Sequence, residues 1–431
     1  MLLSLQAGPR ADAAPSFITK LGYSAGNWGK SVVWTSFESF MLFYLVSIAD
    51  LSPLVAGGLL AAAMAWDAIV DVGIAWWADR HGRAHVLGRL ILFGAPLCGL
   101  GFWAIFALQA PLAVGLAIVL CRIGYSLCDI GHNTLLVRVA RTEADASTVS
   151  GLRLIFSALG AGLVASMSGW SLAIGDRAGQ HSAFATGALV GGLLYIGTLF
   201  GSVAVTRHLP PVRTDGGGPR PGRFAALWRH RTYRRVLTLA FIQAGMVPLF
   251  IRALPFFGQM VHGQASWAGP ALVTITLAQS LSLPGWIALS RWRGPPVLGA
   301  IAHGVLIAAI IGLGIRSDGV AGSLMLVLLG CAQAGMNMAL WALLTMAIRG
   351  SIQGGSAAEA LPVGLFLAAL KGAAGAAHFG FTLIVAATGP QCGGCADGTG
   401  TLLPMSAILV PALGSILCIA LLVRWPSRAD A

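Results

Sequence analysis

Residues 65–83 read AWDAIVDVGIAWWADRHGR. Asp67 and Asp71 stand four positions apart in a run that is otherwise almost wholly apolar, and Asp79 follows beside Arg80, His81 and Arg83. In a helix, residues four apart share one face, so the two carboxylates point the same way. The stretch reads as one long apolar helix that carries two acids on one stripe and ends in a charged turn.

The rest of the chain is of the same kind. Hydrophobic residues make up 57% of its 431 positions and charged residues 10%, against about a quarter charged in ordinary soluble domains. Apolar windows long enough to cross a bilayer, about 20 residues each, recur along the whole length. They predict an all-α membrane protein with twelve transmembrane helices, over approximately 20–49, 53–77, 86–108, 111–138, 148–174, 182–206, 234–262, 266–290, 295–315, 320–348, 360–388 and 401–424. Helices rather than a barrel are expected because no alternating strand pattern occurs, and each backbone polar group in lipid must be satisfied within its own segment. The first sixteen residues lack the order of a cleavable signal, so the first helix is expected to start insertion itself.

Charge supplies the orientation. With these spans, all but six of the 27 Lys and Arg residues fall on one side of the membrane or toward the span ends that face it. The exceptions are Arg177 and Arg316 on the other side, and Lys30, Arg122, Arg252 and Lys371 within spans. The positive-inside rule then places both termini in the cytoplasm, in a bacterial cytoplasmic (inner) membrane. The basic balance is accounted for by this asymmetry, and no nucleic-acid partner is needed to explain it. The linker RHLPPVRTDGGGPRPGRFAALWRHRTYRR (207–235) separates two sets of six spans. The expected division is an N-terminal half over 1–206, a cytoplasmic linker over 207–233 and a C-terminal half over 234–431. GIAWWADRHG (73–82) after span two is echoed weakly by GWIALSRWRG (285–294) after span eight. Two six-helix halves of this kind point to the major facilitator fold.

Seven cysteines are present. Five lie in spans as small packing residues. Cys392 and Cys395 sit in QCGGC (391–395), where a local disulfide or two free thiols are expected rather than a metal site, since no second cysteine or histidine pair accompanies them.

Four of the fifteen acidic residues fall well inside spans: Glu38, Asp67, Asp71 and Asp129. A central Asp costs about 2.5–3.5 kcal/mol on insertion scales, so such residues mark pathways or relays, or are paired for helix packing. Two carboxylates one turn apart resist ionising together, and a proton or Na⁺ relieves the repulsion. Asp67 and Asp71 are therefore a candidate cation site, with Lys30, Arg153 and Lys371 available as basic partners instead. In YSLCDIGHN (125–133), Asp129 can complete that site or receive hydroxyl hydrogen bonds, with Ser126 and Asn133 a turn to either side. His132 reads equally as a proton shuttle or a packing residue. Glu38 has no evident partner. Lys371, in LFLAALKGAAGAAHFG (365–380), lies among small residues and is expected to face a carboxylate or a substrate. Arg122 and Arg252 are expected to reach the outer interface. Asp79, Arg80 and Arg83 form a cytoplasmic turn suited to gating. Trp341, in NMALWALLT (337–345), is a candidate stacking surface for a sugar ring.

KLGYSAGNWGKS (20–31), WDAIVD (66–71), CDIGHN (128–133), LRLIFSALG (152–160) and LKGAAG (370–375) occur in order. As a set they resemble the glycoside–pentoside–hexuronide:cation symporters, in particular the melibiose-carrier-like branch. The likeness covers most of the N-terminal half and rests mainly on span eleven thereafter. It implies that Asp67, Asp71 and Ser126 contribute to cation binding. By the same resemblance Lys30, Asp129, Arg153 and Lys371 serve sugar recognition and coupling, and Trp341 roughly matches an aromatic of helix ten. The sequence also departs from the pattern. Ser31 stands where the family has a sugar-binding acid, Val70 where the branch has an amide ligand, and Asn133 where it has an aromatic. TMAIRGSIQGG (345–355) lacks the acidic signature after span ten.

The implied function is a cation-coupled secondary symporter that carries a sugar, glycoside or sugar acid by alternating access. The loss of the amide favours H⁺ over Na⁺ as coupling ion, and Arg153 and Lys371 favour an anionic substrate. A monomer is expected, with no cofactor and no metal beyond Na⁺ at Asp67 and Asp71. One alternative keeps the fold and carries a lysolipid or another amphipathic molecule. A membrane-embedded enzyme acting on a lipid-linked substrate is remote, since no nucleophile motif or metal-ligand cluster is present.

Overall fold

The computed structural model describes residues 15–81, 86–140, 143–209, 230–290, 292–353, 360–388 and 401–425. All regular structure among them is helical. Eleven helices are long and apolar enough to cross a membrane, or twelve when the bent pair at the start counts as one span. In chain order they are α1 (Phe17–Ser39, continued by Met41–Ile48), α2 (Pro53–His81), α3 (Val86–Ala107), α4 (Pro111–Val139), α5 (Glu143–Leu172) and α6 (Arg177–Thr206). There follow α7 (Arg231–Val261), α8 (Ala268–Ser290), α9 (Pro295–Ile315), α10 (Gly319–Gln353), α11 (Ala360–Thr388) and α12 (Leu402–Val423).

Local chemistry accounts for several of these boundaries. Pro111 and Pro295 open α4 and α9, where a missing N–H costs nothing. Ser16 caps α1 by accepting from the Thr19 N–H, and Asp176 caps α6 by accepting from the Gly179 N–H. Pro248 has no N–H to give, and α7 is accordingly interrupted between Met246 and Leu249. The 57° bend between Ser39 and Met41 has no proline to announce it. The sequence reading, 20–49 as one span, did not contain it. Several helices also run further than their apolar cores, α2 to His81 and α10 to Gln353.

Twelve crossings return the chain to the face on which it began. Taken as wholes, the sets α1–α6 and α7–α12 pack mainly within themselves, through pairs such as α3 with α4 and α9 with α10, although α2 and α11 pack most against each other. Two pairs carry most contacts between the sets, α2 with α11 and α5 with α8. Small residues let these helices approach closely, since lipid gives apolar side chains no reason to prefer a helix partner. A Cβ on Gly57 of α2 would collide with Thr382 of α11, and one on Gly375 of α11 would lie 2.9 Å from the Met64 Cβ of α2. At the α5–α8 crossing a Cβ on Gly269 would lie 2.7 Å from the Gly169 Cα.

Gly57, Thr382, Gly169 and Gly269 all belong to helix ends on the face opposite the termini. Aromatic rings join there too. Phe43 meets Phe256 edge-on at 4.9 Å, and Phe256 meets Phe381 at 5.8 Å. These rings come from the extension of α1, from α7 and from α11, so the two sets are sealed together on that face.

Gly269→Ala puts a methyl group against backbone and is expected to cost about 1–3 kcal/mol. Gly285 on the same helix has nothing within 4 Å of a Cβ, so Gly285→Ala is expected to be neutral or slightly stabilising. Thermal unfolding of the two detergent-purified variants checks this contrast.

Candidate functional site

The two acids of α2 face different helices. Asp67 pairs with Arg122 of α4, and both side chains are wholly buried. Asp71 pairs with Lys371 of α11, which crosses from one helix set to the other. Each acid uses its Oδ2 for this partner. Its Oδ1 has no protein hydrogen-bond partner, and neither has the Ser126 Oγ, which is also buried. The residues expected to hold a cation therefore keep three oxygens free, but the acids themselves are already neutralised one by one. Arg122 is held between aromatic faces as well, its guanidinium 4.9 Å from the Phe37 ring centroid and 5.0 Å from that of Tyr125. Such stacking adds a favourable contact for a desolvated cation.

This position corrects the reading of Arg122 as a side chain that reaches the interface. Eleven residues of helix, about 16 Å at 1.5 Å per residue, separate it from Pro111, further than its stem extends. Its spacing from Ser126 and Asp129 puts all three near one stripe of α4, which was the available sign that it faces the protein.

Asp129 is the second node. Lys30 of α1 lies 2.5 Å from its Oδ1, and Lys371 lies 3.5 Å from its Oδ2. Asn133, one turn on, donates to the Asp129 Oδ1 at 2.9 Å. The Asn133 Oδ1 in turn accepts from Arg153 of α5 at 2.9 Å and stands 3.5 Å from the Lys30 Nζ. Lys371 thus touches acids on both α2 and α4. Among the described residues, Lys30, Arg122, Arg153 and Lys371 face Asp67, Asp71 and Asp129, so this ionised cluster carries one more positive charge than negative. Its half-buried members, Asn133 and Arg153, lie toward the face of the termini, so the cluster's reachable end is on that side.

Neighbouring residues shape this cluster. His132 stacks on Tyr23 at 4.4 Å and its Nε2 is 2.9 Å from the Tyr23 carbonyl oxygen, while the Tyr23 hydroxyl donates to the His132 carbonyl at 2.9 Å. It ties α1 to α4 as a packing residue. Ser31 donates to the Ser157 carbonyl at 2.7 Å and joins α1 to α5. Trp341 is 47% exposed and meets Phe366 of α11 edge-on at 5.1 Å. The side chains of Asp79 and Arg80, and all of Arg83, Cys392 and Cys395, lie outside the described residues. No group of three His, Cys, Asp or Glu residues among the described ones is suited to a metal ion.

A second buried group stands apart from the first. Glu38 of α1 accepts from Arg252 of α7 at 2.7 Å, and the Nε2 of His378 on α11 lies 3.6 Å from its other oxygen. Arg252 is only 2% exposed, which corrects its reading as an interfacial side chain and gives Glu38 the partner that it lacked. His378 was missed. A histidine two turns from Lys371 in an apolar span was the available signal.

The paired charges are buried and come from helices of both sets. The model of the MFS/sugar transport protein family matches residues 22–428. The chain belongs to this family. It is thus a transporter and not an enzyme. The "Uncharacterized symporter YnaJ" of Bacillus subtilis (strain 168) is 24% identical over 160 residues, which is 35% of this chain and 34% of that protein. Among solved structures, this chain is similar to the nucleoside transporter NupG, with a TM-score of 0.68 at 12% identity over 95% of this chain and 100% of that one. It is also similar to a D-xylose–proton symporter, with a TM-score of 0.65 at 15% identity over 93% and 95%. At these identities the two structures speak for the fold alone.

Arg122→Met strands the Asp67 carboxylate, and an unpaired buried charge costs about 3–5 kcal/mol. The expected thermal midpoint falls well below wild type in Arg122→Met and recovers largely in Arg122→Met/Asp67→Asn. Equal midpoints for the single and double variants would show that the pair carries no stability.

Proposed function

We propose that the protein is a proton-coupled symporter of a sugar acid, working by alternating access in the bacterial cytoplasmic membrane with both termini in the cytoplasm. The observation that carries this reading is the surplus positive charge in the cluster around Asp129. A carboxylate-bearing sugar supplies the missing negative charge, with Arg153 and Lys30 as its partners at the reachable end and Asn133 and Asp129 as hydrogen-bonding groups for hydroxyls. Arginine suits this task because its planar fork matches a carboxylate. Hexuronates are the favoured class. The resemblance to melibiose-carrier-like symporters, the name of the Bacillus relative as a symporter and the sugar-transport family support a symporter of a sugar.

Coupling by a proton is favoured over Na⁺ for an electrostatic reason. A metal ion entering between Asp67 and Asp71 meets carboxylates already neutralised by Arg122 and Lys371. It gains little there to offset its own desolvation. A proton needs only one oxygen, and Lys371 stands between two acids that can exchange it. Proton transfer on Asp71 would release Lys371, the side chain that joins α2 and α4 to α11, and so loosen the two sets against each other. The whole cluster comes from one chain, so a monomer suffices.

With the positive-inside orientation, the sealed face is the outer one and the conformation is inward-facing. Rocking to the outward-facing state must separate α5 from α8 at Gly169 and Gly269, and α1 from α7 at Phe43 and Phe256. The Asp79, Arg80 and Arg83 turn would then form the inner gate.

Uptake into proteoliposomes tests the reading. Hexuronates are expected to accumulate under an imposed inward proton gradient, and the accumulation should collapse with a protonophore. Uptake of neutral sugars or lysolipids in their place, or accumulation that follows only Na⁺, would overturn it. Asp71→Asn is expected to abolish accumulation while leaving exchange of internal for external substrate. Arg153→Gln is expected to raise the KM for the anion about tenfold, equivalent to ~1.4 kcal/mol.

A further inference from the structure

Glu38, Arg252 and His378 lie outside the central cluster, and the transport reading above gives them no task. Their bonding capacity is conspicuously unfilled. The Glu38 Oε1, the Nε and one terminal nitrogen of Arg252, and both ring nitrogens of His378 are buried without a protein hydrogen-bond partner. Buried polar groups are nearly always satisfied, and exceptions ask for a reason. Arg252 and His378 are 2% and 1% exposed, while the Glu38 side chain keeps 13%. Glu38 is thus the least enclosed of the three side chains, although its Oε1 is itself buried.

The three residues also span the seam. Glu38 is on α1, in the first helix set, whereas Arg252 and His378 are on α7 and α11, in the second. They lie within the sealed face, on the same three helices as the Phe43–Phe256–Phe381 rings. Any opening of this face must draw Glu38 away from Arg252. Separating a buried ion pair leaves two uncompensated charges, which is costly in a low-dielectric setting. A proton on Glu38 removes one of them.

We infer that Glu38 and His378 form a second proton-binding site, which loads as this face opens and unloads as it closes. On opening, Arg252 leaves and Glu38 takes a proton from the water that now reaches it. On closure, Arg252 returns to the carboxylate, the O–H bond of Glu38 breaks, the proton forms an N–H bond at the His378 Nε2, 3.6 Å away in the closed form, and that N–H bond then breaks in turn as the proton passes to water before the face seals. The other charged groups that act on these residues are few among the described ones. His378 feels Arg252, Glu38 and, from α4, Arg122, and Glu38 feels Arg252 and His378. The open form holds one more proton than the closed form, so falling pH favours opening. The inference rests on the alternating-access part of the transport reading and on no choice of substrate.

Hydrogen exchange of the full chain in lipid nanodiscs, without substrate and corrected for the intrinsic effect of pH, tests it between about pH 5 and about pH 8. In the wild type, exchange over 40–51 and 249–262 is expected to rise several-fold as the pH falls. Glu38→Gln should be fast at every pH, with segments of α3 and α4 still protected to show that the protein is folded. Glu38→Gln/Arg252→Gln, which leaves no unpaired charge, should also lose the pH response. His378→Gln should stay slow at high pH and respond less to acid. A wild type that does not respond to pH, or a Glu38→Gln variant that responds as the wild type does, would overturn the inference. Failure of hexuronate uptake would leave this result untouched, because no substrate is present.

Discussion

The ion pair between Asp71 of α2 and Lys371 of α11 ties the two helix sets together in the middle of the membrane. Neither residue can remain there alone, because a lone charge in the bilayer interior has no water to hold it. The helix positions follow from this requirement. α2 must face α4 to give Asp67 its Arg122, and must face α11 to give Asp71 its Lys371. α4 must turn Asp129 toward Lys30 of α1 and toward Lys371. Each bond between the sets is also one that movement between them has to break or exchange, so the network that holds this conformation is the one that transport has to use.

The small residues serve the same end by different means. Where α5 crosses α8 and α2 crosses α11, glycine on one or both sides lets backbones come within reach of each other. This contact is made of packing and not of charge. It can open and reform without stranding an ion. The face sealed here holds one exception, the Glu38–Arg252 pair beside His378, and that exception is what gives the seam a dependence on protons.

Much of this was legible in the sequence. Hydropathy placed the spans to within a few residues, since a bilayer imposes one length on every helix. The rarity of charge in an apolar chain singled out Asp67, Asp71, Asp129, Lys30 and Lys371, because any ionisable residue in such a run must have a reason. Arg153 was read as an available basic partner and Asn133 as a polar neighbour one turn from Asp129, and the structure brings them to one hydrogen-bonded chain. The same rarity should have kept Arg122 and Arg252 in the interior. They were misread because a long cationic side chain can escape to the interface, and a linear sequence does not say whether it needs to.

The sequence alone therefore determined the class of protein, the number of crossings, and which side chains could not be left unpaired. Only the tertiary structure decided who pairs with whom. Asp67 and Arg122 are 55 residues apart, Glu38 and Arg252 are 214, and Asp71 and Lys371 are 300. Burial of a charge is a local property of a helix and its solvent. Its partner is chosen by how helices from distant parts of the chain rotate and lean on one another, and no periodicity within one helix records that.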